Sequence, residues 1–261
     1  LDFSLNSIVQ QWKRVLFPNV KTSEEEKIYA ALKIYEANQC AIGHHEVISS
    51  DQHMDEIYSL QKPHAERLLN YLREFEPELI NNRPPRILDV GCSIGAYLFG
   101  FQQFAGELVG VDLEQSSIEM AKQLAEYKNI KNIQFFIEDG VTLPELRQKF
   151  SHHFDVITIK QVAEHLGDMD HFETMLKSAS DVLAPGGVIF LEMPNYLFPF
   201  EPHCKIPIPP HAKKSTIRWI ARLFGRIKTE NDERVLQSLN MISSRRAEEV
   251  FHKLGFSYRN L

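Results

Sequence analysis

Between Arg86 and Glu192 the sequence keeps changing period, and that alternation limits the fold more than any other feature. Apolar runs at Arg86–Val90, Glu107–Asp112, Ile133–Ile137, Phe154–Ile159 and Gly187–Glu192 read as strands. Between them Ile94–Phe104, Ser116–Tyr127, Leu143–Phe150 and His171–Leu183 read as helices, with Pro185-Gly186-Gly187 as a turn before the last strand. Strands separated by helices pair in parallel through right-handed crossovers. The expected class is α/β, a mostly parallel sheet with helices on both faces.

The flanks follow other rules. Residues 1–85 read as a helical cap or extension. Leu5, Ile8, Val9, Trp12, Val15 and Leu16 recur at helical spacing, a second helix starts at Thr22 or Ser23, and a third runs from Ser50–Asp51 through Leu72 with a break near Pro63. Asn81-Asn82-Arg83-Pro84-Pro85 interrupts the pattern and separates this region from 86–261. Residues 196–240 interrupt the alternation with a Pro-rich loop and a basic helix, an insertion or lid. A helix over Arg245–Leu254 and a strand over Gly255–Tyr258 then resume it.

Composition narrows the class. With 43% hydrophobic and 25% charged residues, a 261-residue chain builds a sizeable core. The net charge of −6 disfavours a general nucleic-acid binder. No apolar run approaches the ~20 residues needed to cross a bilayer. Cys40, Cys92 and Cys204 form no CxxC pair, which suggests a reducing compartment and no thiolate zinc site. The chain opens Leu1-Asp2-Phe3 without a signal peptide, so a trimmed piece of a cytoplasmic protein is the expectation.

The chemistry concentrates at Ile87-Leu88-Asp89-Val90-Gly91-Cys92-Ser93-Ile94-Gly95. A strand enters a turn of small residues and then a helix whose first N–H groups are free, so a ligand can approach the backbone closely. Asp89 lies two residues before the first glycine, unlike the GxGxxG dinucleotide fingerprint. The second strand ends in Asp112, placed to take the two ribose hydroxyls of an adenosine ligand. Glu138-Asp139-Gly140 follows the third, where a carboxylate can accept from an adenine amino group. Acids at the ends of three consecutive strands point to the ligand crevice of an open α/β sheet, although ordinary strand-end caps use the same residue types.

These residues resemble the class I S-adenosylmethionine (SAM) methyltransferases, closest to the ubiquinone-biosynthesis and sugar branch, over about residues 54–195 and 243–258. The likeness continues through Phe154-Asp155-Val156-Ile157-Thr158, Glu164-His165-Leu166, Leu183-Ala184-Pro185-Gly186-Gly187 and Met193-Pro194-Asn195. It implies a Rossmann-like fold and SAM as cofactor, with S-adenosylhomocysteine (SAH) as product. Asp89, Gly91, Cys92, Ser93, Gly95, Asp112, Leu113, Glu138, Asp139, Gly140 and Lys160 are the implied cofactor contacts, with Tyr58 as an aromatic cover. Ser93 stands where the common pattern has its middle glycine, and Gln161 stands where an acid is frequent. The family's closing antiparallel strand after Gly255–Tyr258 is absent, which reads as a truncated C-terminus or a missing edge strand.

The acceptor side is less determined. A hydroxyl acceptor needs deprotonation, and His165, with an ordinary pKa near 6.5, suits a general base; it also suits a packing or cofactor-loop role. Glu201 and His203 offer a second ionisable pair in an apolar loop, or cap its turn. Lys214, Arg218, Arg222 and Arg226 make a basic stripe beside Ile217, Ile220, Leu223, Phe224 and Ile227, so 213–228 is either a lid helix, a peripheral membrane contact or a cover for an anionic substrate. The expected function is methyl transfer to a small-molecule, glycan or lipid-linked acceptor, at oxygen. The alternatives are a non-catalytic SAM-binding domain and a protein or RNA methyltransferase.

Overall fold

The computed structural model describes residues 51–194, 196, 200–201, 206–209, 212–227, 233, 236–237 and 239–259, with side chains from Gln61 onward except Tyr127. The helices expected before residue 50 lie outside the described residues. By its contacts the chain divides into residues 1–60 and 61–261, upstream of the Asn81–Pro85 break.

Helix α1 (Asp51–Phe75) runs unbroken through Pro63, where a break was expected. Ala65, Leu68, Leu69 and Leu72 recur on one face and are buried, and this packing outweighs the backbone hydrogen bond that proline removes. A short helix α2 (Glu78–Asn81) leads into β1 (Arg86–Val90). There follow α3 (Ala96–Phe99), β2 (Glu107–Asp112), α4 (Gln115–Tyr127), β3 (Ile133–Ile137), α5 (Pro144–Lys149) and β4 (Phe154–Lys160). A 3₁₀ turn (Ala163–His165), α6 (Met169–Val182) and β5 (Leu183–Glu192) complete the alternation. The sheet order is β3-β2-β1-β4-β5 and every pairing is parallel. Order reverses between β1 and β4, which opens the crevice at the carboxyl ends of those strands.

The sheet core is built from the runs read as strands. Leu88, Val90, Val109, Val111, Ile157 and Ile159 pack with Phe172, Met175 and Leu176 of α6 and with Ala247 and Val250 of α8 (Ser244–Leu254). Caps follow local chemistry, with Asp168 accepting from the His171 N–H at 2.9 Å to start α6.

Three expected elements differ. The Ile94–Phe104 helix shrinks to the single turn of α3, because Gly100 lies against α1, where an added Cβ would stand 2.5 Å from that of Ala65. β5 takes in the Pro185-Gly186-Gly187 turn through a register irregularity against β4. Gly255–Tyr258 forms no strand. Gly255 ends α8 in the left-handed region, and Tyr258 then packs on the rings of Phe251 and His252 instead of on β5.

After β5 comes a separate small assembly. β6 (Phe200–Glu201) pairs antiparallel with β7 (Ile206–Pro207), and α7 (Lys214–Leu223) follows. Tyr196, Ile206, Ile208, Ile217, Ala221, Leu236 and Leu239 form its own apolar cluster.

Candidate functional site

The turn after β1 is held from both sides. The Gly91 and Cys92 N–H groups both donate to the Val111 carbonyl, at 2.8 and 2.9 Å. Gly91 has φ +76°, and an added Cβ would stand 2.3 Å from Val162 Cγ2, so conformation and packing both require glycine here. Ser93, at φ 49°, accepts the left-handed backbone that the common pattern assigns to glycine. That strain, about 1–2 kcal/mol, is offset by its N–H donating to Asp112 Oδ2 at 2.8 Å.

Asp112 joins the turn to β2. Its Oδ1 accepts from the Glu114 N–H at 2.9 Å, so each oxygen spends one acceptor position on backbone and keeps another. Beside it Leu113 is 69% exposed, and Ile137, the register partner of Asp112 on the edge strand β3, is 48% exposed. A carboxylate with spare acceptors between two bare apolar side chains fits a ribose with its base laid on the hydrocarbon. Ile137 was not among the residues the sequence singled out.

The two acids after β3 are already engaged. Asp139 closes its own turn, accepting from the Val141 N–H at 2.9 Å and the Thr142 hydroxyl at 3.1 Å, with Gly140 between them. Glu138 is buried, and its Oε1 accepts from the N–H groups of Glu145 and Leu146, at 2.7 and 3.1 Å, at the start of α5. Its Oε2 is buried without a hydrogen-bond partner among the described residues, and burial raises its pKa.

Under the turn sits a charged cluster that sequence spacing did not reveal. Asp89 is buried and accepts from the Thr158 hydroxyl at 2.6 Å. Burial pushes its carboxyl up to about 7, against the opposing pull of Thr158 and Lys160. Lys160, at the end of β4, lies with its ammonium 4.1 Å from the centroid of the Tyr97 ring and opposite Glu192 in register. Burial lowers its pKa, while Glu192 and Asp89 raise it. On α1, buried His64 is held down to about 4 by desolvation, Lys160 and Arg67. Arg67 lies 3.4 Å from His64 Nδ1, one helical turn away. Cys92 is buried too, and desolvation keeps its thiol protonated. No cluster of described residues has the make-up of a metal site.

The described acceptor-side residues fall on different elements. His165 is exposed on the 3₁₀ turn after β4. Glu201 is fully buried on β6, and His203 lies outside the described residues. Tyr58 falls on α1, with its side chain outside the described ones. The basic stripe of α7 is largely paired: Arg218 and Arg222 both bind Glu233, the latter at 2.9 Å, and Lys214 donates to the Gln237 carbonyl at 3.2 Å. Ile217 and Ala221 face inward, whereas Leu223 and Phe224, expected on the apolar stripe, are exposed together with Trp219. No described helix is long and apolar enough to cross a membrane.

The sequence and the fold are similar to those of known proteins. Residues 81–241 match the family model of a methyltransferase domain. The ubiquinone biosynthesis O-methyltransferase of Coxiella burnetii (strain Dugway 5J108-111) is 30% identical over 132 residues, covering 50% of this chain and 53% of that protein. That of Chelativorans sp. (strain BNC1) is 26% identical over 173 residues, 65% of this chain and 63% of its own. The chain thus spans about half the length of the first of these relatives. A solved protein of Bacillus halodurans C-125, provisionally described as a methyltransferase, superposes with a TM-score of 0.50 at 16% identity, over 67% of this chain and 64% of that one, and so shares the fold.

Proposed function

Because the chain belongs to the methyltransferase-domain family, the class I SAM-dependent enzymes, we propose that it transfers a methyl group from SAM to a small-molecule acceptor, at oxygen. The observation that carries this reading is Asp112, with an acceptor position spare on each oxygen, flanked by exposed Leu113 and Ile137. That trio takes the ribose hydroxyls and the faces of the adenine, and Asp139 borders the amino edge of the base. Gly91, Ser93 and Gly95 keep side chains out of the turn or fold it tightly, so backbone lies against the ligand. When bound, SAM supplies an electrophilic methyl group on a sulfonium.

The chain's own work is alignment, since holding the acceptor in line with that methyl is worth effective molarities of roughly 10⁵ M or more. His165, exposed on the loop after β4, takes the acceptor's hydroxyl proton. Glu201 and His203, in the acceptor-side insertion, orient the acceptor hydroxyl or serve as an alternative base. The named relatives support an oxygen acceptor, since both are O-methyltransferases of ubiquinone biosynthesis.

The test is calorimetry with SAH and turnover with labelled SAM. Asp112→Ala weakens SAH at least about tenfold, through lost charge-assisted hydrogen bonds; equal affinity overturns the site. His165→Ala slows methyl transfer about 100-fold and leaves SAH affinity within twofold. Labelled methyl recovered in the small-molecule fraction of a cell extract supports the acceptor class, and label confined to protein or RNA overturns it.

A second reading concerns where the enzyme works. Trp219 and Leu223 are 65% and 68% exposed on α7, with Phe224 and the cationic Arg226 beside them, the make-up of a helix that rests on an anionic membrane. Sedimentation with vesicles containing anionic lipid tests it, and absence of wild-type binding removes it.

A further inference from the structure

The insertion and the sheet core meet in residues 239–242. Leu239 and Met241 pack with the apolar cluster of the insertion, whereas Ile242 belongs to the core of the sheet. The Ile242 N–H donates to the Asn240 carbonyl at 2.9 Å, which turns the chain sharply at Met241. Between these apolar side chains Asn240 is 5% exposed. Its side-chain amide donates to the Asp168 carbonyl at 2.7 Å, and its backbone N–H donates to the Glu164 carbonyl. Both acceptors lie in the loop after β4, Glu164 one residue before His165 and Asp168 three residues after it. That stretch has few strong bonds of its own. It holds a single 3₁₀ turn, the Leu166 N–H reaches the Ala163 carbonyl only at 3.4 Å, and Gly167 stands at φ +78° with open space beside it. Asn240 supplies two further bonds from a segment anchored in both apolar clusters.

We propose that Asn240 is a positioning residue, which fixes the loop that presents His165 and ties it to the insertion. The inference rests on the reading of His165 as the base and names what aims it. Any residue except proline supplies the backbone N–H, so the specific contribution of asparagine is the side-chain donor to Asp168. An aspartate there has no donor and sets a carboxylate oxygen against that carbonyl. Without the side-chain bond, the grip of Asn240 on the loop rests on the Glu164 carbonyl alone. Gly167 then leaves the backbone between the two points free to turn. A reacting group displaced by about 1 Å costs on the order of 100-fold in rate, so a modest shift of this loop is enough to slow transfer.

The experiment is a double-mutant cycle on the full chain, with Asn240→Asp, His165→Ala and the two combined. The readouts are label transfer from SAM to the small-molecule fraction of a cell extract at varied SAM, calorimetry with SAH, and amide hydrogen exchange in the loop. Asn240→Asp is expected to lower the maximal rate at least tenfold while the KM of SAM and the SAH affinity stay within twofold. Exchange at Leu166 and Asp168 should quicken at least tenfold, with the amides of β4 unchanged. On the His165→Ala background the same substitution should slow transfer by less than twofold, because the group it aims is gone. A full tenfold loss on that background overturns the proposal, as does unaltered loop exchange. Asn240→Ala, which brings no charge into the buried position, reports where Asn240→Asp fails to fold. A wild type that labels nothing in that fraction, or a His165→Ala enzyme as fast as wild type, removes the base reading and this inference with it. A slow His165→Ala enzyme beside a fully active Asn240→Asp one removes the inference alone.

Discussion

Two buried aspartates at opposite ends of the same sheet have opposite chemistry. Asp155, at the amino end of β4, accepts from Arg83 at 2.7 Å and from Arg86 through its backbone N–H at 2.8 Å and its guanidinium at 3.0 and 3.2 Å. Those partners overcome its desolvation and hold its pKa below the ordinary value. Asp89, at the carboxyl end of β1, has the Thr158 hydroxyl, and burial lifts it to about 7. One acid is saturated by its own fold and staples the chain around β1 to β4. The other is kept under-satisfied at the crevice. The contrast teaches that equal burial favours the charged form of a carboxyl at one end of the sheet and the neutral form at the other, according to the partners it meets.

The largest expected effect comes from the pH dependence of Asp89. Its folded pKa lies above the unfolded 3.8, so its contribution is fully present below about pH 4 and is lost as pH rises to about 7. At roughly 1.4 kcal/mol per unit, Asp89→Asn removes a drift on the order of 4 kcal/mol, read as urea stability of variant minus wild type across that range. A flat difference would mean that Asp89 is as well paired as Asp155.

Asp155→Ala should then cost about 3 kcal/mol, because two arginines lose a buried partner, with SAH affinity unchanged within twofold. A matching loss of SAH affinity would break the division between the two ends. Asp155 also works in the other pH direction, with its stabilisation present above about pH 4 and fading as pH falls below it.

His64 sharpens the picture from the base side. Its folded pKa of about 4 lies below the unfolded 6.5, so the unfolded chain binds the proton better and stability falls as pH drops from 6.5 to 4. His64→Gln should flatten that fall by about 2–3 kcal/mol, and thermal melts at pH 7 and 4.5 read it. The smallest effect belongs to the insertion: Trp219→Ala, on a side chain 65% exposed, should shift stability by less than about 0.5 kcal/mol. A larger loss would mean that Trp219 carries packing the exposed surface does not suggest.

Much of the crevice was legible in sequence because it depends on short spacing. Asp89, Gly91, Ser93, Gly95 and Asp112 lie where one strand, one turn and the next strand must put them, and the turn accepts Ser93 because Asp112 anchors its N–H. The insertion was less legible. The four-residue repeat of Lys214, Arg218 and Arg222 reads as a free basic stripe, and Glu233 from a later segment pairs two of its members. A helical period fixes which residues share a face and says nothing about what covers that face.

The sequence by itself determined the parallel α/β core, the order of its strands and helices, and the acids at the strand ends. Each of these follows from period, turn chemistry and neighbours within a few residues. Only the tertiary structure decided that Asp89 and Asp155 differ and that His64 and Arg67 of α1 stand with Lys160 of β4. Those facts depend on contacts between segments about 70 to 95 positions apart, where burial and partner number set the charge state of a side chain.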